Sequence, residues 1–134
     1  NVHDMQLATD APFGPGQSVS VEIEAPFTAN RLTIVAMLAT TNDTFMALDR
    51  YRLSPWFGTR VVTVPAYDAG SEFNSEDCDF VPGPPCGMAG VRDTEGAEGF
   101  VSISSGIHGF GDLDPTTHDW RNPVAKITIE PIWR

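Results

Sequence analysis

The sequence predicts an all-β fold, an antiparallel β-sandwich, and three observations carry that prediction. Apolar and polar residues alternate with a period of two in short runs. Clusters of Gly, Pro, Asn and Asp separate those runs. Twelve Gly and 11 Pro among 134 residues leave little room for long helices. The length suits one domain spanning residues 1–134.

Ser18 to Glu24 is the clearest strand, because Val19, Val21 and Ile23 alternate with Ser and Glu after the Gly14-Pro15-Gly16 turn. Arg31 to Thr40 is nearly continuous in apolar residues and reads as a central strand buried on both faces. Phe45 to Leu53 reads as a strand with Phe45 and Ala47 facing inward; a short helix capped by Thr41 or Asn42 is the alternative. Thr59 to Val64 is a strand stopped by Pro65, and Gly99 to Ser104 is another. Pro123 to Trp133 ends the chain as a strand, with Pro131 suited to an edge or a terminus. Between Asp68 and Glu98 the alternation breaks down. That segment holds eight acidic residues and one basic residue, Arg92, and is longer than a plain connection requires. The chain shows no internal repeat.

The net charge of −10 excludes a nucleic-acid partner that needs a cationic footprint. A hydrophobic content of 41% is enough for a packed core and argues against intrinsic disorder. No apolar run approaches the ~18–20 residues of a membrane-spanning helix. Asn1 to Asp10 is polar, without the basic flank and apolar stretch of a signal peptide; a mature secreted chain and a cytoplasmic one would both begin this way. Cys78 and Cys86 flank a Pro/Gly-rich loop, CDFVPGPPC. A local disulfide, and with it a secreted or periplasmic location, is the first expectation. Free thiols are the alternative, and zinc lacks a second ligand pair.

Two acidic constellations stand where strands hand over to loops: Thr41-Asn42-Asp43-Thr44, and Tyr67-Asp68-Ala69-Gly70-Ser71-Glu72. Gly70 permits a sharp bend between Asp68 and Glu72. Asp43, Asp68 and Glu72, with backbone carbonyls, would supply the oxygens that Ca²⁺ takes at ~2.3–2.6 Å. The same residues also suit turn solvation and the capping of backbone amides, and spacing does not separate the two uses.

TNDTFMALDRYRL, then PAYDAGSEFNSED, then GIHGFGDLDP and NPVAKITIEPIW, resemble the spondin amino-terminal domain. That family includes the N-terminal domains of F-spondin and mindin and many bacterial secreted proteins, and the chain is most similar to the bacterial members. The motifs follow the family order from about Ser18 to Trp133. Ser71 stands in place of the usual Thr of a DAGT loop, and Glu72 in place of the usual Asp of the animal proteins. The resemblance implies a sandwich similar to calcium-dependent membrane-binding domains, with one Ca²⁺ held by Asp43, Asp68 and Glu72. Asn42 and Thr44 adjoin the first of these ligands. Family domains also carry one or more strands upstream of the equivalent of Gly16. A missing strand leaves a sheet edge open to another chain, so homodimerisation is an expectation.

His108 with Asp112, or His108 with His118, offers a base or a transition-metal pair, set against ordinary loop histidines. Asp112 and Asp114 suit loop bracing better than a second cation. Asn1-Val2-His3 has the spacing of a terminal Cu²⁺ chelate. Asn42-Asp43-Thr44 is also a glycosylation sequon, which a ligand role for Asp43 argues against. Trp56, Phe57, Trp120 and Trp133 suit packing first and ligand stacking second.

These residues together lead to a secreted calcium-binding domain acting in extracellular binding or adhesion. Its partner would be a protein, matrix component, glycan or membrane surface. It is expected not to be an enzyme, because no nucleophile elbow, metalloprotease helix or triad signature is present. The alternatives are a small-molecule or carbohydrate carrier, and a hydrolase using Asp43 with Asp68 or Glu72 as an acid/base pair.

Overall fold

β2 (Thr44–Arg52) organises the larger of two sheets. It pairs antiparallel with β1 (Arg31–Met37) on one side and β4 (Ala66–Asp68) on the other, and β4 pairs antiparallel with β5 (Ser102–Ile103). The second sheet is one antiparallel pair, β3 (Arg60–Val64) with β6 (Ala125–Ile129). The only helix among the described residues is α1 (Pro115–His118), one turn long, capped by Asp114 and opened by Pro115. The chain is therefore all-β, built of two antiparallel sheets. The structure, a computed structural model, describes residues 2–54, 56, 58–87 and 90–132.

Cross-strand register sets the faces of the larger sheet. Met37, Phe45, Tyr67 and Ile103 stand in one row, and Ala36, Met46 and Ala66 in the adjacent row. Residues in one row share a face, and adjacent rows face opposite sides. The Ala66 side is covered: Ala66 and Leu48 are buried, together with Val64 of β3. The other side is open, with Val35 61% and Met37 64% exposed, although Phe45 and Tyr67 lie side by side at 5.7 Å between ring centroids. A further core comes from loops rather than strands: Val81, Ile107 and Leu113 cluster there, with Cys86 and Trp120 packed against them.

Five expectations need correction. Ser18 to Glu24 forms no strand, and Val19, Val21 and Ile23 are exposed. Alternation marks a segment that can present two faces, but a strand also needs a ladder partner. Arg31 to Thr40 is not a central strand buried on both faces. β1 ends at Met37 on the sheet edge, and its burial alternates along its length. The last three residues of the run instead form the turn into β2, where Thr40 takes a φ of 69°. Gly99 to Ser104 contributes only the two residues of β5. The C-terminal strand is Ala125–Ile129, and Trp133 lies outside the described residues, as do Asn1 of the copper motif and Phe57. β4 and α1 were not expected at all. Phe45 to Leu53 is a strand, Thr44–Arg52, and the helix alternative falls away, but Phe45 and Ala47 do not face inward: the register sets them beside Met37 and Val35 on the open side, and Leu48 of the alternate row faces the core.

Cys78 and Cys86 are disulfide-bonded, with Cα atoms 4.7 Å apart. The bridged loop is tied to the β1–β2 turn, since Thr40 N–H donates to the Pro82 carbonyl at 3.1 Å and the Thr40 hydroxyl to the Pro84 carbonyl at 2.5 Å. Closing a loop of this size removes unfolded-state entropy equivalent to about 2.5 kcal/mol. Replacing both cysteines by serine is therefore expected to lower the unfolding free energy by about that amount in urea titrations. An unchanged midpoint would show that the unfolded chain is equally restricted without the bridge.

Candidate metal centre

The β1–β2 turn is built by its own hydroxyls. Thr41 Oγ1 donates to the Leu38 carbonyl at 2.7 Å and accepts the Thr44 N–H at 3.2 Å, while Leu38 N–H closes the hairpin on the Thr44 carbonyl at 2.9 Å. Thr41, Asn42, Asp43 and Thr44 are all buried. The sheet register then sets Thr44, at the start of β2, opposite Asp68, at the end of β4. That pairing is why the two acidic loops, distant in sequence, become neighbours.

Beyond β4 the chain turns at Gly70, whose φ is 65°. Asp68 Oδ1 accepts the Gly70 N–H at 2.7 Å, and Oδ2 accepts from Asn74 Nδ2 at 2.5 Å. Asp43 reaches across to the same loop. Its Oδ2 accepts three hydrogen bonds, from Ser71 N–H at 2.6 Å, Ser71 Oγ at 2.8 Å and Glu72 N–H at 2.9 Å. The side chain of Glu72 turns to Arg92, with Oε1 2.8 Å from Nε.

These groups border a cavity of about 430 Å³, lined by Asn42, Asp43, Ser71, Glu72 and Arg92 on its polar side and by Val35, Met37 and Phe45 on its apolar side. Two buried polar atoms in this region have no hydrogen-bond partner among the described residues: Asp43 Oδ1 and Asn42 Nδ2. A buried carboxylate oxygen without a donor is costly unless a cation or proton meets it. Of the three expected ligands, Asp43 and Glu72 share the cavity. Asp68 does not line it and spends both oxygens on bracing the Gly70 turn. Among the described residues, no three His, Cys, Asp or Glu side chains already stand together in metal-binding geometry.

Sequence reasoning missed Glu76. Buried inside the acidic segment, it accepts three backbone N–H groups of one loop: His108 on Oε1 at 2.6 Å, and Gly109 and Phe110 on Oε2 at 2.6 and 2.9 Å. Its carbonyl accepts Asp112 N–H at 2.8 Å. Nothing in the pattern distinguishes Glu76 from its acidic neighbours; the loop folds around it from over thirty residues away. In the sequence Arg92 stands out only as the lone basic residue of the segment.

The His108–Asp112 pair is not assembled, because Asp112 Oδ2 accepts the Cys78 N–H at 3.0 Å. His108 instead stacks on Phe110 at 5.4 Å. His118 Nδ1 accepts the Asp114 N–H at 2.9 Å, and Asp114 caps α1. The Thr116 hydroxyl and N–H hold the Asp114 carboxyl below its ordinary range, and the Ile107 N–H does the same to Asp119. Both aspartates brace loops. Trp56 is exposed, and Trp120 packs against the loop core. No helix among the described residues is long and apolar enough to cross a membrane. The chain matches no protein-family model, no curated protein and no solved structure.

Proposed function

We propose that this chain is a secreted calcium-binding β-sandwich domain of the spondin amino-terminal type, which binds an extracellular protein, matrix component, glycan or membrane surface without catalysing a reaction. The observation that carries this reading is the bare, buried Oδ1 of Asp43 beside Glu72. Asp43, Asp68 and Glu72 are all buried within one pair of loops, and among the described residues the cation hydrogen-bonded to one of them, Arg92, is bound to Glu72. Like charges gathered out of water repel, and a divalent ion relieves that cost with oxygen ligands it prefers.

Each residue has a part in this reading. Asp43 fastens the Ser71–Glu72 backbone through Oδ2 and keeps Oδ1 for the ion. Glu72 offers the second carboxylate of the cavity. Asp68 holds the Gly70 turn that aims Ser71 and Glu72 at Asp43. Turning the Asn42 amide over would present its carbonyl oxygen where Nδ2 now lies without a partner. The bound ion would neutralise charge and tie the two loops together. The disulfide supports an oxidising compartment. The open apolar side around Val35 and Met37 supports a binding role.

Thermal unfolding in EDTA and in millimolar Ca²⁺ tests the proposal. Free ion at one hundred times its dissociation constant stabilises the folded state by about 2.7 kcal/mol. For a chain of this size that raises the Tm by roughly 8 °C. Asp43→Asn should abolish the rise. A wild-type Tm indifferent to calcium would reject the ion.

A further inference from the structure

We propose that Arg92 is the built-in competitor of the divalent ion, a guanidinium that occupies Glu72 when the ion is away and sets the affinity of the cavity for it; this rests on the calcium reading above. Arg92 Nε lies 2.8 Å from Glu72 Oε1, and Nη2 lies 3.4 Å from the Ser71 carbonyl oxygen. Arg92 and Glu72 line the same cavity as the bare Asp43 Oδ1. The pair is asymmetric: the Glu72 side chain is 11% exposed and that of Arg92 is 61% exposed.

That asymmetry decides which partner moves. A guanidinium held mainly from the solvent side is weakly retained, because water re-solvates it when it leaves. Glu72 is anchored, since its own N–H is bound to Asp43 Oδ2 and the preceding residue supplies two more donors to the same oxygen. Arg92 can therefore swing into solvent while the carboxylate stays. The guanidinium donates N–H groups in a fixed fork and carries a single charge. It satisfies Glu72 and leaves Asp43 Oδ1 bare. An ion taking Asp43 Oδ1 and Glu72 Oε1 displaces Arg92 from that oxygen. Arg92 is the only basic residue between Asp68 and Glu98, so no neighbour in that segment duplicates it.

Calcium titration by calorimetry of the wild-type chain, Arg92→Gln and Arg92→Lys tests this, with melting curves in EDTA alongside. Arg92→Gln removes the competing charge and is expected to bind Ca²⁺ roughly tenfold more tightly. The same variant is expected to melt lower than wild type in EDTA, because Glu72 loses its counter-ion, and no lower in saturating calcium. Arg92→Lys keeps the charge without the fork and should fall between the two. It also preserves the test if Arg92→Gln folds poorly. Equal or weaker calcium binding by both variants, with binding by wild type intact, would overturn the role of Arg92 and leave the calcium reading standing. No binding by any of the three at millimolar calcium would overturn both.

Discussion

Gly70→Ala is expected to destabilise the fold by about 4 kcal/mol. The residue has a φ of 65°, where an L side chain costs about 1 kcal/mol. The greater penalty is steric. A Cβ there would press on the Phe100 carbonyl oxygen and lie 2.8 Å from its nitrogen and 2.9 Å from its carbonyl carbon. These are backbone atoms that no rotamer change can remove. Gly99 N–H also bonds the Gly70 carbonyl at 2.8 Å, so separating the two segments breaks that link. Gly58→Ala and Gly87→Ala are the controls: both glycines have positive φ and nothing within 4 Å of the added carbon. Urea midpoints should show a loss of about 1 kcal/mol for each control and several times that for Gly70→Ala. Equal losses at all three positions would mean that backbone conformation, not the Phe100 contact, sets the cost. Gly70→Ala should also erase the calcium-dependent rise in Tm, because Ser71 and Glu72 follow directly in the displaced turn.

Glu76→Ala is expected to cost about 3 kcal/mol, because three part-buried backbone hydrogen bonds to one buried carboxylate are lost together. Charge-assisted hydrogen bonds are the stronger kind, and a carboxylate gripped by consecutive N–H groups acts as an internal anion in a backbone nest. Glu76 takes three N–H groups of the loop from Gly106 to Asp114, which the packing of Ile107 and Leu113 on Val81 also holds. Gly111 presses so closely on Glu76 that a Cβ there would lie 2.5 Å from the Glu76 carbonyl oxygen. Glu76→Gln keeps the shape, loses the charge and turns an NH₂ toward amide donors, so it should lie between wild type and alanine. Amide hydrogen exchange at His108, Gly109 and Phe110 is the readout that separates this strut from general packing. Unaltered protection there in Glu76→Ala would remove the strut from the account. Because Leu113 and Ile107 of the loop core flank the same segment, loosening it should also expose Trp120, visible in its fluorescence.

The two acidic regions serve different ends. Around Asp43 one carboxylate oxygen is left without a donor, and around Glu76 both oxygens are filled by the chain itself. The contrast turns on supply of N–H groups, not on acidity. An acidic residue whose oxygens are all met by backbone donors is a structural anchor; one with a bare, buried oxygen beside a second carboxylate is a candidate place for the proposed cation. Asp68 is closer to the first case, with one oxygen on the Gly70 N–H and the other on the Asn74 side-chain amide, although its position in the YDAG motif points to the second.

Much of this was legible along the chain. The runs Thr59 to Val64 and Val124 to Ile129 declare the strands of the second sheet, and Phe45 to Leu53 reads as a strand although the register turns Phe45 and Ala47 to the open side. The short Pro/Gly-rich interval between Cys78 and Cys86 made their bridge foreseeable. Turn chemistry located Asp43 and the Gly70 bend at the mouths of strands. All these features depend on residues within a few positions of one another, so local sequence determines them. Partnership between remote segments was decided only by the tertiary structure. It left Ser18 to Glu24 without a ladder, set Arg31–Met37 at an edge, paired Thr44 with Asp68, and wrapped the His108 loop around Glu76. The physical reason is that a hydrogen-bonding group or an apolar face states a need, while which distant segment meets that need depends on how the whole chain closes.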